Sequence, residues 1–244
     1  MIILNYYIEW TAAQLPHILP IAERLGGDIY TNCDFVEEWM SKHSLIKCKR
    51  DKPPGGNLIL ADYVNFPEYN TIQVCHGVSA KTYINELPED WFNYIINPSP
   101  RYTLKTSLTG FTRFRIYNPS LVIPNTCLYC PTLSLSNLDF LKELLKKYVV
   151  TFKLHPSDWR ASPLVQEAAS LGAIIVDSLS EGYIRYERLF ETAEVLASDT
   201  SSMMYEFSLT GRKVITPDMK EHLIDYREWF YTNDICEEIK KCLE

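Results

Sequence analysis

Residues 194–215 read EVLASDTSSMMYEFSLTGRKVI, and four segments follow one another in that run. Val195, Leu196 and Ala197 have the apolar character of a buried strand, Ser198 to Ser202 form a polar turn, Met203 to Thr210 a helix, and Lys213 to Ile215 a second strand. Gly211 stands after the helix, where a left-handed C-cap belongs. Strand, turn, helix and strand in that order make the repeating unit of a parallel α/β sheet. A hydroxyl-rich turn that leaves a parallel strand and opens a helix gathers unpaired backbone N–H groups, hydroxyl donors and the positive end of a helix dipole at one spot, which suits a phosphate. The same residue types dominate N-caps, so capping is the competing reading. Asp199, Thr200, Ser201 and Ser202 in a row exceed what one cap uses.

Working outward, the pattern repeats. Toward the N-terminus the sequence predicts strands at Ile2–Leu4, Asp28–Thr31, Asn57–Ala61 and Thr71–Cys75, with helices around Leu15–Leu25 and Phe35–Ser41. The Thr71–Cys75 strand delivers His76-Gly77, and ligands of open parallel sheets sit beyond the carboxyl ends of strands. Tyr148 to Leu154 is a second strongly β-prone run, and it ends in His155-Pro156, where the proline stops the strand. A helix at Leu164–Leu171, a strand at Ala173–Val176 and a helix at Tyr186–Thr192 lead back to the opening stretch. The expected architecture is therefore α/β, with two Rossmann-like doubly wound domains facing a central cleft. They would cover residues 1–120 and 121–244, joined near Pro119–Pro124, each presenting a histidine at a strand end. Lys153 shares its strand face with His155.

Composition narrows the function classes. A chain of 244 residues with 46% hydrophobic content can bury a sizeable core, and a formal net charge of -7 argues against a nucleic-acid-binding surface. No apolar run approaches the roughly 18 to 20 residues needed to cross a bilayer, and no signal peptide is apparent, so a cytoplasmic protein is expected. Seven cysteines make no disulfide framework. Cys127 and Cys130 form a single C-x-x-C, but in a strand residues three apart point to opposite faces, and no second pair completes a zinc site. No carboxylate cluster suits a divalent metal, so neither metal nor cofactor is expected.

Five short motifs occur in order: His76-Gly77-Val78-Ser79-Ala80-Lys81, Thr109-Gly110-Phe111-Thr112-Arg113-Phe114, Leu128-Tyr129-Cys130-Pro131-Thr132, Lys153-Leu154-His155-Pro156, and Ser198-Asp199-Thr200-Ser201-Ser202. Together they resemble the CDP-glycerol glycerophosphotransferases of teichoic-acid synthesis. That family's usual His-Gly-Thr-Pro-Leu-Lys is matched here at His76, Gly77 and Lys81, and its usual Thr-Asp-Tyr-Ser-Ser at Asp199, Ser201 and Ser202. The resemblance implies a GT-B fold and a transferase moving an alditol phosphate from a CDP-linked donor to a hydroxyl of a polymer, glycan or lipid-linked acceptor, with peripheral contact at the inner face of the membrane. It implies His76 as base and His155 as partner of the departing CMP. Lys153, Pro156, Asp199, Thr200, Ser201, Ser202, Arg113, Gly77 and Lys81 would lie around the donor phosphates. Three other readings remain: a CMP-sugar glycosyltransferase of sialyl- or Kdo-transferase type on a GT-B fold, which uses an acidic base in its first half, a UDP-sugar 2-epimerase-like enzyme, and a nucleotide-binding protein that has lost catalysis.

Overall fold

A computed structural model describes residues 4–9, 12–61, 64–74, 92–97, 106–108, 119–132, 138–156, 162–199, 201–222 and 234–244. The chain divides into two compact units, one made of Met1–Phe114 and Trp229–Glu244, the other of Arg115–Glu228.

In the first unit the order is β1 (Leu4–Ile8), α1 (Leu15–Leu25), β2 (Asp28–Thr31), α2 (Asp34–His43), β3 (Cys48–Arg50), β4 (Asn57–Leu60), β5 (Asn70–Val74), β6 (Tyr94–Asn97) and β7 (Thr106–Leu108). The strands form one parallel sheet in the order β3-β2-β1-β4-β5-β6-β7. All five residues of β1 are buried, Asn5 included, because neighbours pair on both edges and helices cover parallel sheets. Asn5 is accommodated by donating its side-chain amide to the Gly55 carbonyl at 3.0 Å. The turn from α1 into β2 needs Gly27, whose φ is 113°, since a β-carbon there would collide with the Leu4 carbonyl oxygen.

The second unit runs β8 (Ile123–Tyr129), α3 (Leu138–Leu145), β9 (Val149–Phe152), α4 (Ser162–Ser170), β10 (Ile174–Ile175), α5 (Glu181–Ile184), α6 (Glu187–Thr192), β11 (Ala193–Ala197), α7 (Met203–Ser208), β12 (Val214–Ile215) and β13 (Glu221–His222). Its sheet has the order β10-β9-β8-β11-β12-β13, parallel except for the β12–β13 pair. Alternation along β8 and the residue after it sends Cys127 and Tyr129 into one core cluster, with Phe140 and Phe152, and Leu128 and Cys130 into another, with Phe190 and Phe207. Phe190 and Phe207 meet edge to face, ring centroids 5.4 Å apart.

Both sheets carry the same doubly wound order, in which the first strand of each unit lies inside and the direction of winding reverses beside it. One expectation needs adjusting. The last helix, α8 (Ile235–Leu243), belongs to the first unit rather than to a second domain running to residue 244. It buries Ile235, Cys236 and Ile239, and Arg24 of α1 reaches its N-cap residue Asp234 at 2.7 Å. The expected Ile2–Leu4 strand is β1, displaced toward Ile8, with residues 1–3 outside the described residues. Helix α7 stops at Ser208 rather than Thr210, and Gly211 takes the expected left-handed φ of 74°.

Candidate functional site

In the second unit the winding reverses between β8 and β11, and the crevice beyond the carboxyl ends of such strands is where open α/β sheets receive ligands. Two loops meet there. Ser198, fully buried, donates its hydroxyl to the Cys130 carbonyl, and Cys130 N–H donates to the Ala197 carbonyl at 2.9 Å. Asp199 then accepts from the Thr132 N–H at 3.0 Å and from the Thr132 hydroxyl. Its carboxylate fastens the β11 turn to the loop after β8, a different task from capping α7.

The two serines behave differently from ordinary caps. Among the described residues Ser201 Oγ accepts only a long bond from Met203 N–H, 3.3 Å, and Ser202, the N-cap residue of α7, makes no side-chain cap bond. Ser202 already has helical dihedrals, φ -59° and ψ -18°, so its side chain is not set to fold back over the first turn. Among the described residues its hydroxyl has no hydrogen-bond partner. Thr200 lies outside the described residues.

At the end of β9, Lys153 is 2% exposed, its N–H donating to the Tyr129 carbonyl at 2.9 Å. Its ammonium lies 4.6 Å from the ring centre of Tyr183 and 5.1 Å from that of Tyr186. Tyr186 donates its hydroxyl to Glu206 Oε2 of α7 at 3.1 Å, and that carboxylate is 5% exposed. Burial pushes the Cys130 thiol up to about 12; the Lys153 charge draws it down and the Glu206 charge raises it, so both charges act within reach of this sulfur. Cys127 is likewise raised by burial, which removes any thiolate chemistry from the C-x-x-C.

His155 is half-buried, and its backbone carbonyl accepts from the Tyr183 hydroxyl at 3.1 Å. Pro156 is buried directly after it. The structure thus gathers Lys153, His155, Pro156, Asp199, Ser201 and Ser202 at the carboxyl edge of one sheet, on loops after β9 and β11, the two strands that flank β8. His76, Gly77, Lys81 and Arg113 lie outside the described residues; His76 follows β5 by two positions.

Three features escaped the sequence reading. A cavity of about 400 Å³ beside the His155 segment is lined by Leu154, Val165, Ile175, Val176 and Tyr183 together with Gln166, Asp177 and Ser178. The Asp-Ser-Leu-Ser string after β10 was its only sequence signal. The Tyr186–Glu206 bond was invisible because its partners are 20 residues apart. Glu9, next after β1 at the reversal point of the first sheet, buries an oxygen, Oε2, that has no hydrogen-bond partner among the described residues. Among the described residues no group of three or more His, Cys, Asp and Glu side chains is placed to hold a metal, and no helix is long and apolar enough to cross a membrane.

Comparison with known proteins adds to this geometry. No curated protein matches the chain. The solved wall teichoic acid polymerase TagF superposes with a TM-score of 0.57 at 14% identity, covering 87% of this chain and 69% of that one. S. aureus MnaA, solved with UDP, superposes with a TM-score of 0.55 at 8% identity over 88% of this chain and 79% of its own. At such identities the likeness establishes the fold, two parallel-sheet α/β domains of the GT-B class. The sequence profile of the CDP-Glycerol:Poly(glycerophosphate) glycerophosphotransferases matches residues 114–237, just over half of the chain and the part that carries β8 to β13 with the His155 and Ser201-Ser202 loops. The chain therefore belongs to the CDP-glycerol:poly(glycerophosphate) glycerophosphotransferase family.

Proposed function

We propose that the chain transfers glycerol phosphate from CDP-glycerol to a hydroxyl of a cell-surface polymer, glycan or lipid-linked acceptor, releasing CMP. The observation that carries this reading is the Ser202 hydroxyl, uncommitted among the described residues, in a turn tied by Asp199 to the reversal point of the sheet, inside the stretch that the family profile matches. A form of TagF soaked with CDPG, itself similar in fold, agrees with such a donor.

In the proposed reaction the acceptor oxygen forms a bond to the glycerol-bearing phosphorus while the bond from that phosphorus to the CMP oxygen breaks. His76 takes the acceptor proton, a task for which an imidazole with an ordinary pKa near about 6.5 is suited at neutral pH. His155 hydrogen-bonds or protonates the departing CMP phosphate. Thr200, Ser201 and Ser202 donate to the pyrophosphate oxygens, with Lys81 and Arg113 as further cationic partners and Gly77 and Pro156 shaping the two loops. Lys153, buried behind two tyrosine rings, acts through its field rather than by contact. The test is CMP release from CDP-glycerol in the presence of a polyglycerol phosphate acceptor, with CDP-ribitol and a CMP-sugar in parallel. Release from the CMP-sugar alone overturns the proposal.

A second reading, CMP-sugar transfer with a carboxylate as base, is favoured by one observation, the Glu9 Oε2 at the reversal point of the first sheet, buried without a hydrogen-bond partner among the described residues. Glu9→Gln separates the two. It abolishes turnover under the second reading and leaves it near parental under the first.

A further inference from the structure

The second sheet ends at β10, where Val176 N–H donates to the Phe152 carbonyl at 2.9 Å and the parallel register pairs Ile174 with Thr151 and Ile175 with Phe152. Alternation along the strand then turns the backbone groups of Ile174 toward β9 and both those of Ile175 away from the sheet. Continued by two residues in each direction, the same alternation brings the Ala173 carbonyl and the Asp177 N–H to the outer side. None of these four groups makes a hydrogen bond among the described residues.

The groups that would otherwise extend this edge are already spent. Ala173 N–H donates to the Ala168 carbonyl at 3.1 Å, and the Asp177 carbonyl accepts from Ser180 N–H at 3.0 Å and from the Ser180 hydroxyl at 2.6 Å. The open edge therefore reads acceptor at Ala173, donor and acceptor at Ile175, and donor at Asp177. That pattern is its own complement. A two-fold axis beside Ile175 sets each Asp177 N–H against the Ala173 carbonyl of a second copy and closes a pair of bonds between the two Ile175 residues, with nothing left over.

The side chains agree. Among the described residues the exposed large apolar side chains of the second unit are Ile123, Val149 and Ile174, each more than half exposed, and they stand at the amino ends of β8, β9 and β10. Val149 lies two residues before Thr151, the partner of Ile174, so the two share one face beside the edge. Natural sheets guard free edges with charge. β3, at one edge of the first sheet, has Lys49 bound to Asp28 at 2.5 Å and Arg50 to Glu37 at 2.7 Å, and β13, at the other edge of the second, has Glu221 bound to Lys213 at 2.6 Å. β10 is Ile-Ile and carries no such guard.

We propose that β10 is a self-association edge, at which two copies of the chain pair antiparallel across Ile175 and join their six-stranded sheets into one continuous sheet. Four backbone bonds alone are too few for a stable interface, which buries about 1,200 Å² or more in total. Ile174, Val149 and the outward side of α4, the helix that packs on β10, complete it. The proposal is independent of the transferase reading.

Sedimentation equilibrium and amide hydrogen exchange on the full chain test it, with Ile174→Lys and Ile175→Pro beside the parent. Ile174→Lys puts two like charges near the two-fold axis, and Ile175→Pro removes the outward donor while the bonds to β9, made by Ile174 and Val176, remain. The parent is expected at twice the mass of one chain, with exchange at Ile175 and Asp177 slowed at least about tenfold as rising protein concentration converts monomer to dimer. Both variants should raise the dimer dissociation constant at least about tenfold. Ile174→Lys should also keep the unfolding transition of the monomer, because the side chain it replaces is exposed. A parent that stays monomeric at every concentration overturns the proposal, and so does a dimer whose Ile175 and Asp177 amides exchange freely or that holds at parental strength in either variant.

Discussion

His155 and His76 carry different loads in the proposed reaction, and single substitutions separate them. His76→Ala removes a base without touching donor contacts, so turnover falls by about 10²- to 10⁴-fold while CDP-glycerol affinity stays near parental. His155→Ala loses a hydrogen bond to a charged group, worth roughly 1.5 to 3 kcal/mol, and raises the donor dissociation constant as well. CMP release and calorimetric binding, measured on each variant, give the two patterns; equal loss of binding in both would refute the division of labour. Ser201→Ala with Ser202→Ala weakens the donor by a similar amount per hydroxyl, with little change in stability, because Ser202 caps nothing and the Ser201 bond is long. A large drop in unfolding midpoint would show the serines to be structural. These candidates were legible because reactive side chains directly follow strands in the sequence. Asp177 and Tyr183 were not, since an exposed Asx turn and a core tyrosine look alike in any α/β protein until the cavity between them is seen.

At the scale of elements, long strands and amphipathic helices were readable from their periodicity, and short ones were not. β9, β5 and β4 announce themselves by β-branched or apolar runs, whereas β3 (Cys-Lys-Arg) and β13 (Glu-His) have no period to detect and exist only through their neighbours. What binds α7 to the rest of the unit is equally nonlocal. The Tyr186–Glu206 bond joins the residue before α6 to α7, and Tyr186→Phe should lower the unfolding free energy by about 1.5 to 3 kcal/mol, since the acceptor is a buried carboxylate. Urea denaturation checks it. The pH response of this core follows from Cys130, whose folded thiol is held at about 12 against an ordinary value of 9.0, by burial first and by Glu206 against the opposing pull of Lys153. A raised folded pKa contributes stability that is complete below about pH 9 and is lost as the pH climbs toward 12, by up to about 1.4 kcal/mol per pH unit. Between pH 8 and 10.5 the parent should lose urea resistance more steeply than Cys130→Ala; parallel slopes would mean that the thiol is not the group responsible.

At the scale of the whole molecule, two sheets with one winding order were foreseeable from alternating strands and helices, but the path of the C-terminus was not. Periodicity describes a helix's own faces and is silent about which sheet receives them. α8 has an apolar stripe of Ile235, Cys236 and Ile239, acidic residues in its first turn and lysines in its last, so it satisfies its own dipole whatever it packs against. What assigns it to the first unit is contact with α1 and β6 and the Arg24–Asp234 pair, where Asp234 also caps the helix by accepting from Cys236 N–H at 2.8 Å and Glu237 N–H at 3.3 Å. The ion pair is half-exposed and contributes little alone, about 0.2 to 1 kcal/mol, so the buried face should dominate. Ile239, 0% exposed, is its centre, and Ile239→Ala should cost about 2 to 5 kcal/mol. The informative quantity is where that loss appears. Hydrogen exchange should accelerate in β1, β6 and α1, separated from Ile239 by more than 140 residues of chain, while β8, β9 and β11, nearer in sequence, keep parental protection. Faster exchange confined to the second unit would place α8 with that sheet instead, and the division of the chain at residue 229 would have to be abandoned.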